Sequence, residues 1–343
     1  MPHAAPSISV ILLCYDSELF VRDAIESALA QDYSGSLEIL ISDDASRDGT
    51  FEIVRKVVSE YAGPHTVRVL RRQENSGSKS AHLNHVFPEA LGEILISFDD
   101  DDVSRPGRVR KIVAEFANED VQAVYSSFSL IDENGSPRGT GKVPHPAPNE
   151  DASQWFARVD AFAAGTTLAV RRRVIETFGP LDADVHEDIA LPFRASLLGA
   201  VVFIPEDLVM VRRRAESLTS DLERFRSIAD YRKRMLAGIE QARRNLESRR
   251  SDLDIALDLQ PERSAELKRL RSIAEDTCVV AESTAKLLGP SFFERVAALL
   301  HLIRLGAYRD ELAQHAFIAL LPRTYLRYKR RSLGTATSDL VGN

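Results

Sequence analysis

Cysteine is scarce in this 343-residue chain: two residues, Cys14 and Cys278, stand far apart in apolar surroundings. That rules against a disulfide framework or a cysteine-held metal, and two buried thiols in a reducing compartment are expected. An excess of positive charge is missing too, with 44 Lys and Arg against 51 Asp and Glu and a net charge of −7. The sign is wrong for a phosphate-backbone binder, so nucleic acid is not an expected partner. Long apolar runs are also lacking. The best, FFERVAALLHLIRLGAY at 292–308, is broken by Glu294, Arg295, His301 and Arg304, and it falls short of the roughly 20 apolar residues of a membrane span. No charged-then-apolar leader opens the chain. A cytoplasmic protein is expected, with room for peripheral contact at the cytoplasmic face of a membrane. What is abundant is core material: 44% of residues are hydrophobic, enough for one large domain plus a helical appendage.

The texture of the chain changes near residue 220. Before it, β-rich runs (7–14, 37–43, 66–72, 93–99 and 121–128) alternate with helical patterns near 18–30, 48–62, 79–90 and 105–117. Alternation of this kind predicts an α/β sheet with helices on both faces, and the nearly unbroken apolar strands agree. After 220 the β texture ends and charged helix is predicted over 221–250, 262–288 and 291–321, with Pro261 at a start and Gly289-Pro290 at a stop. The division read from sequence is therefore 1–220 and 221–343. No internal repeat is present, and PRGTGKVPHPAPNE at 137–150 reads as a loop.

Ligands of such sheets bind outside the carboxyl ends of the strands. There the sequence places acid: Tyr15-Asp16 after the first strand, Asp43-Asp44 after the second, and Asp99, Asp100, Asp101 and Asp102 after the fourth. Helix capping accounts for Ser46, Asp48 or Ser104 but not for the remaining carboxylates. Acidic loops on one edge repel unless a positive group joins them, and a hard divalent cation with oxygen ligands does so.

The segments SVILLCYD, ILISDDASRDGT, NSGSKSAHLNHV, GEILISFDDDDVSRPGR and HEDIALPFR, in this order over about residues 7–215, resemble the nucleotide-sugar-dependent glycosyltransferases of family 2. The resemblance implies a GT-A fold, a Rossmann-like three-layer α/β/α domain with a mixed, mainly parallel sheet, here followed by an α-helical C-terminal region. It also implies an inverting transfer of sugar from a nucleotide-diphosphate donor, UDP by default, to a glycan or lipid-linked acceptor, as in assembly of a surface polysaccharide. Carried over residue by residue, Leu13, Tyr15 and Asp16 line the base pocket, although Leu13 and Asp16 depart from the family pattern. Asp44 contacts the base. Lys79, in a segment resembling N-x-G-x-K and followed by Asn84, approaches base or phosphate or is a solvated helix-start lysine. In the D-x-D-D pattern Asp101 holds Mg²⁺ or Mn²⁺ and Asp99 or Asp100 lies near the ribose. Successive side chains of an extended chain alternate, so four carboxylates cannot all reach one ion.

Glu187-Asp188 resembles the family's E-D motif, which makes Asp188 the general base, with His186 and Glu187 as neighbours able to orient the acceptor. Acids at a helix start have an ordinary explanation too, in the helix dipole. Arg212-Arg213-Arg214 resembles the family's basic loop over the diphosphate, and Arg212 and Arg214 are donor candidates on that ground; the other reading is a solvated charge run. Trp155 is either a sugar platform in the acceptor pocket or a core residue. The helical region carries apolar stripes suited to packing or to a homo-oligomer. Its end, LLPRTYLRYKRR, fits contact with an anionic membrane surface or a solvated terminus. A catalytically inactive nucleotide-sugar-binding protein of the same fold is the alternative to an enzyme.

Overall fold

A computed structural model of the chain describes residues 6–147, 150–158, 165–213, 228–287 and 291–304. In chain order the elements are β1 (Ile8–Cys14), α1 (Val21–Leu29), β2 (Leu37–Asp43), α2 (Thr50–Glu60), β3 (Thr66–Arg71), α3 (Lys79–Val86), β4 (Ile94–Asp99), β5 (Val103–Ser104), α4 (Arg108–Glu115), β6 (Val121–Ile131), β7 (Pro137–Thr140), α5 (Ala152–Arg158), β8 (Ala169–Arg171), α6 (Arg172–Phe178), α7 (Glu187–Leu198), β9 (Ala200–Arg212), α8 (Ile228–Leu259), α9 (Ser264–Lys286) and α10 (Phe292–Arg304). Short 3-10 turns precede β8 and α9.

The sheet runs in the order β3-β2-β1-β4-β8-β6-β9-β5, with β7 paired to β6. β1, β2 and β4 are apolar along nearly their whole length and buried on both faces, as strands covered by helices must be. The helices that cover them are one-sided. α1 buries Val21, Ala24, Ile25 and Ala28, the i, i+3, i+4, i+7 spacing of a single face.

Register fixes the working edge. β1 pairs in parallel with β2 so that Cys14 meets Asp43, and with β4 so that Leu13 meets Asp99. The three strands therefore stop at one level, and their acidic loops emerge side by side. β8 enters antiparallel between β4 and β6, which delivers residues 165–168 to the same edge, where Ser97 N donates to Leu168 O.

The sheet is mixed rather than a simple parallel repeat. β9 is 13 residues long and pairs in parallel with β6. The sequence pattern misses it because Pro205-Glu206-Asp207 interrupts the apolar run, just where the pairing register slips near Ser126–Ser127. β8 has three residues, too few for a periodic signal. Part of the 137–150 stretch is β7 rather than loop. In the helical region α8 continues to Leu259, beyond the expected end at 250. Among the described residues no helix is long and apolar enough to cross a membrane.

The chain forms two compact units, one of Met1–Arg214 with Ser248–Leu270, the other of Ala215–Glu247 with Arg271–Asn343. In the first, Arg194 of α7 pairs with Asp252 at 3.0 Å, both nearly inaccessible, and Arg194 also donates to Gly179 O. Arg263 and Gln260 donate to Leu197 O at the end of α7, supplying partners to a helix terminus that lacks its own. In the second, Leu246, Ala274 and Cys278 form a small core, and Arg243 pairs with Glu282.

Removing one partner of a buried ion pair leaves the other charge uncompensated, at a cost of about 3–5 kcal/mol. Asp252→Ala is therefore expected to destabilise the unit that contains α7 by about 3 kcal/mol, read as a lower urea midpoint. An unchanged midpoint would refute a stabilising role for this pair.

Candidate active site

The four adjacent aspartates separate once the chain turns. Asp100 accepts hydrogen bonds from Tyr15 N (2.8 Å) and Ser17 Oγ (2.5 Å), so it ties the end of β4 to the loop after β1. Burial raises its pKa to about 7, against those two donors and with help from Asp101 and Asp99. Asp102 is buried and accepts from Arg212 N at 2.9 Å; burial, then Asp101 and Asp99, push its pKa well up. Asp99 pairs with Lys79 Nζ at 2.5 Å. Asp101 stays partly exposed in the turn, its backbone oxygen accepting from Arg212 Nε.

Cations of the protein itself hold this acid in place. Arg108 lies beneath the turn, fully buried, donating to Ser97 O and Thr166 O. Burial lowers its pKa to about 10 although Asp102 and Asp99 favour its charge. Arg212 sits at the end of β9 with 4% exposure. Its guanidinium is taken up by the carbonyls of Asp101, Asp132 and Glu133 and by Asp23 at 3.0 Å. This corrects the reading of Arg212 as a loop residue over a diphosphate: the side chain is an internal clamp under the aspartate turn. Arg214 and the basic run at 323–331 lie outside the described residues.

The loops after β1 and β2 interlock. Asp16 accepts from Arg47 N (2.7 Å) and Arg47 Nη2 (2.8 Å), and these contacts, the backbone one first, hold its carboxyl below the usual range against the opposing effect of burial. Arg47 also reaches Tyr15 Oη. Leu13 is buried in the sheet, so its contribution to a ligand would come from its backbone. Asp16 and Ala45 both have left-handed backbones, with φ of 45° and 61°. Aspartate tolerates that region, whereas alanine there is strained, and such strain gathers at functional loops.

Asp44, expected at a base, is already satisfied. Its carboxylate accepts from Ser76 N, Ser76 Oγ and Asn75 Nδ2 and pairs with Arg72 at 3.0 Å, which fills its lone-pair sites. It anchors the 75–78 loop. Beside it Ala45, Ser46, Arg71, Arg72 and Gln73 line a cleft of about 420 Å³, with Arg71 paired to Asp43 at 3.3 Å and stacked over Phe51.

α3 joins this edge to α7. The hydroxyls of Ser78, its N-cap, and of Ser80 donate to Ala183 O and Val185 O, and Asn84 exchanges two hydrogen bonds with Leu181. The loop entering α7 is thereby stapled to α3. Lys79 reaches both Asp99 and, at 2.8 Å, Glu187. Burial opposes its charge, but the two carboxylates outweigh burial and raise its pKa. Gly165 makes room for the pair, since a Cβ there would stand 2.1 Å from Glu187 Oε1 and 3.0 Å from Lys79 Nζ. Asp188, the next residue of α7, has a buried Oδ1 with no hydrogen-bond partner. Burial first, then Glu187, raises its pKa to about 8, with Lys79 pulling the other way. Pro192 lacks the N–H that would close the helical bond to Asp188 O. His186 is exposed at the N-cap position. Trp155 is only 8% exposed and packs edge-on against Phe156, so the structure favours its reading as a core residue.

Sequence reasoning brought Asp99–Asp102, Lys79 and Glu187–Asp188 to one place and missed Arg72, Arg108, Gly165 and Thr166. Only SRPGR following the acidic run hinted at Arg108. No three His, Cys, Asp or Glu among the described residues converge as a protein-only metal cage. Magnesium and manganese do not require one, since one or two carboxylates plus substrate phosphates suffice. The donor set fits such an ion: it is all carboxylate oxygen, and Asp100 and Asp102 are both driven toward protonation by burial and neighbouring negative charge.

A mixed sheet with its acid gathered at one strand edge and an acidic helix start facing it defines a GT-A-type α/β protein. Residues 9–179 match the family model for glycosyl transferase family 2, and the chain belongs to that family. An uncharacterized glycosyltransferase of Nostoc sp. is 29% identical over 211 residues, covering 60% of this chain and 64% of the relative. EpsE of Bacillus subtilis is 32% identical over 143 residues, 41% of this chain and 50% of its own length. The chain thus spans between half and two thirds of these relatives. The fold is shared with two solved structures. The mannosyltransferase PcManGT of Pyrobaculum calidifontis, in complex with GDP-Man and Mn²⁺, has TM-score 0.54 at 20% identity, covering 99% of this chain and 88% of that one. S. aureus TarS 1-349, in complex with UDP-GlcNAc, has TM-score 0.52 at 17% identity, covering 88% and 93%.

A carboxyl whose folded pKa is raised holds its proton longer in the folded state than in the unfolded chain, whose value is about 3.9. The associated stability is complete below about pH 4 and lost as pH rises to about 8. Wild-type protein should therefore lose stability relative to Asp188→Asn across that window, measured by urea midpoints at stepped pH. Parallel curves would show that Asp188 is not perturbed.

Proposed function

We propose that the chain transfers a sugar from a nucleoside-diphosphate donor to a hydroxyl of a glycan or lipid-linked saccharide, with inversion at the anomeric carbon. The observation that carries this reading is the Lys79 bridge: it brings the aspartate turn of β4 and the Glu187-Asp188 start of α7 within one side chain of each other. Donor chemistry belongs at the first and proton removal at the second. The nucleotide sugars bound by PcManGT and TarS support a donor of that class, and UDP is the default by resemblance.

Asp101 is assigned to Mg²⁺ or Mn²⁺, which when bound neutralises charge on the leaving diphosphate. Asp99 stands for the ribose side. Asp100 acts indirectly, holding Tyr15 and Ser17 in position. Asp188 takes the proton of the acceptor hydroxyl as its oxygen bonds to the anomeric carbon and the bond to the diphosphate breaks. A carboxylate poised near pH 8 is a stronger base than an exposed one, and burial is what makes it so. A single base in a direct displacement inverts the centre.

The test is transfer from UDP- and GDP-sugars to saccharide acceptors with Mn²⁺, with product configuration read by proton NMR. Asp188→Asn should lose roughly a hundredfold to ten-thousandfold in kcat while keeping diphosphate binding. Asp101→Ala should abolish the Mn²⁺-dependent part of the thermal shift given by a nucleoside diphosphate. Retained configuration, or full activity without Asp188, would overturn the mechanism.

A further inference from the structure

The geometry points to Lys79 as a positioning residue: its ammonium ties the donor side of the site, at Asp99, to the first residue of the helix that carries Asp188, and so sets where that carboxylate stands. The inference rests on the reading of Asp188 as the base. Three observations carry it.

First, the ammonium is engaged on both sides, 2.5 Å from Asp99 and 2.8 Å from Glu187, which uses two of its three donors on carboxylates. A solvated helix-start lysine would make neither contact. Second, the residue beneath it is immobilised. Ser78, Ser80 and Asn84 flank Lys79 on α3 and bond to Ala183, Val185 and Leu181 in the loop entering α7. The bracket therefore fixes the backbone on which Glu187 and Asp188 sit, and Lys79 fixes the side chain. Third, space is reserved for the bridge. At Gly165 any side chain would meet both Glu187 and Lys79.

The bridge also acts on charge. Among the described residues, the charged groups that act on Asp188 are Glu187 on its own helix, Lys79 from α3 and Asp99 from β4, and of these Lys79 is the positive one. Lys79 therefore favours the ionised base that the two acids oppose.

Lys79→Met, Lys79→Arg and Glu187→Gln separate this role from ordinary ones. Two readouts are needed: the titration of Asp188 by carboxyl carbon NMR, assigned by its loss in Asp188→Asn, and kcat against donor KM. Lys79→Met should move the Asp188 midpoint up by about one pH unit, lower kcat roughly tenfold to a hundredfold, and leave donor KM within about threefold. Glu187→Gln should move the midpoint down, and it serves on its own if Lys79→Met does not fold. Lys79→Arg, which keeps the charge, should hold the midpoint near wild type. A raised donor KM with kcat and midpoint unchanged would make Lys79 a phosphate ligand and overturn the proposal, as would no change in any readout. An unmoved midpoint beside an inactive Asp188→Asn variant overturns this proposal alone, whereas full transfer by Asp188→Asn overturns the base reading beneath it.

Discussion

Everything at this site follows from three parallel strands ending at one level. Once Cys14 is registered against Asp43 and Leu13 against Asp99, the loops of β1, β2 and β4 must share a small region, and each brings carboxylates. Like charges in a dry place cannot all stay ionised without counter-charge. The surrounding structure supplies it from below and from the sides: Arg108 under the turn, Arg71 and Arg72 against Asp43 and Asp44, and Lys79 against Asp99, while Arg212 at the end of β9 sets its guanidinium against Asp101 O and Asp23. Arg108 and Arg212 are buried, at a desolvation cost that the carbonyls they donate to and the neighbouring acid together offset. The acid cluster and the long β9 strand are joined at Arg212, whose amide donates to Asp102 and whose guanidinium holds Asp101 O together with Asp132 O, Glu133 O and Asp23.

Division of labour among the aspartates is a consequence of backbone direction. Asp100 points to the β1 loop, Asp102 to the β9 backbone and Asp99 to α3. Three of the four are therefore structural bonds as well as charges. Asp101, the fourth, is partly exposed in the turn. The same economy holds at Asp44, whose carboxylate is filled by Asn75, Ser76 and Arg72. An acidic motif does not have to touch a substrate to be required by the site. It can instead fix the loop that does.

How much of this was legible in the sequence varied with the physics involved. β1, β2 and β4 were legible because doubly covered strands are continuous in apolar residues, and the acids after them stand out against that background. The Glu187-Asp188 helix start was legible by resemblance. β8 and β9 were not: one is too short to have a period, and the other carries Pro205-Glu206-Asp207 where its register shifts. Arg212 was misread for a related reason. A basic triplet after a strand looks like a solvated loop until the strand is known to extend to Arg212 and to end against a buried carboxylate. Gly165 gave no signal at all, because its function is the volume it leaves empty for two side chains from α3 and α7.

Helix α7, which carries the proposed base Asp188, is held at both ends by different means. At its start, neutral hydroxyls and an amide from the α3 segment bond to backbone carbonyls, and Lys79 makes a charged contact with Glu187. At its end, Arg194 pairs with Asp252, and Arg263 and Gln260 satisfy Leu197 O. The 248–270 stretch therefore belongs to the machinery that orients α7 even though it lies beyond the α/β sequence pattern. Between these anchors Pro192 removes the backbone bond to Asp188 O, so the first turn of α7 has one helical bond fewer of its own. A lysine from a neighbouring helix that pairs with Glu187 is therefore placed to bear on Asp188, the proposed base.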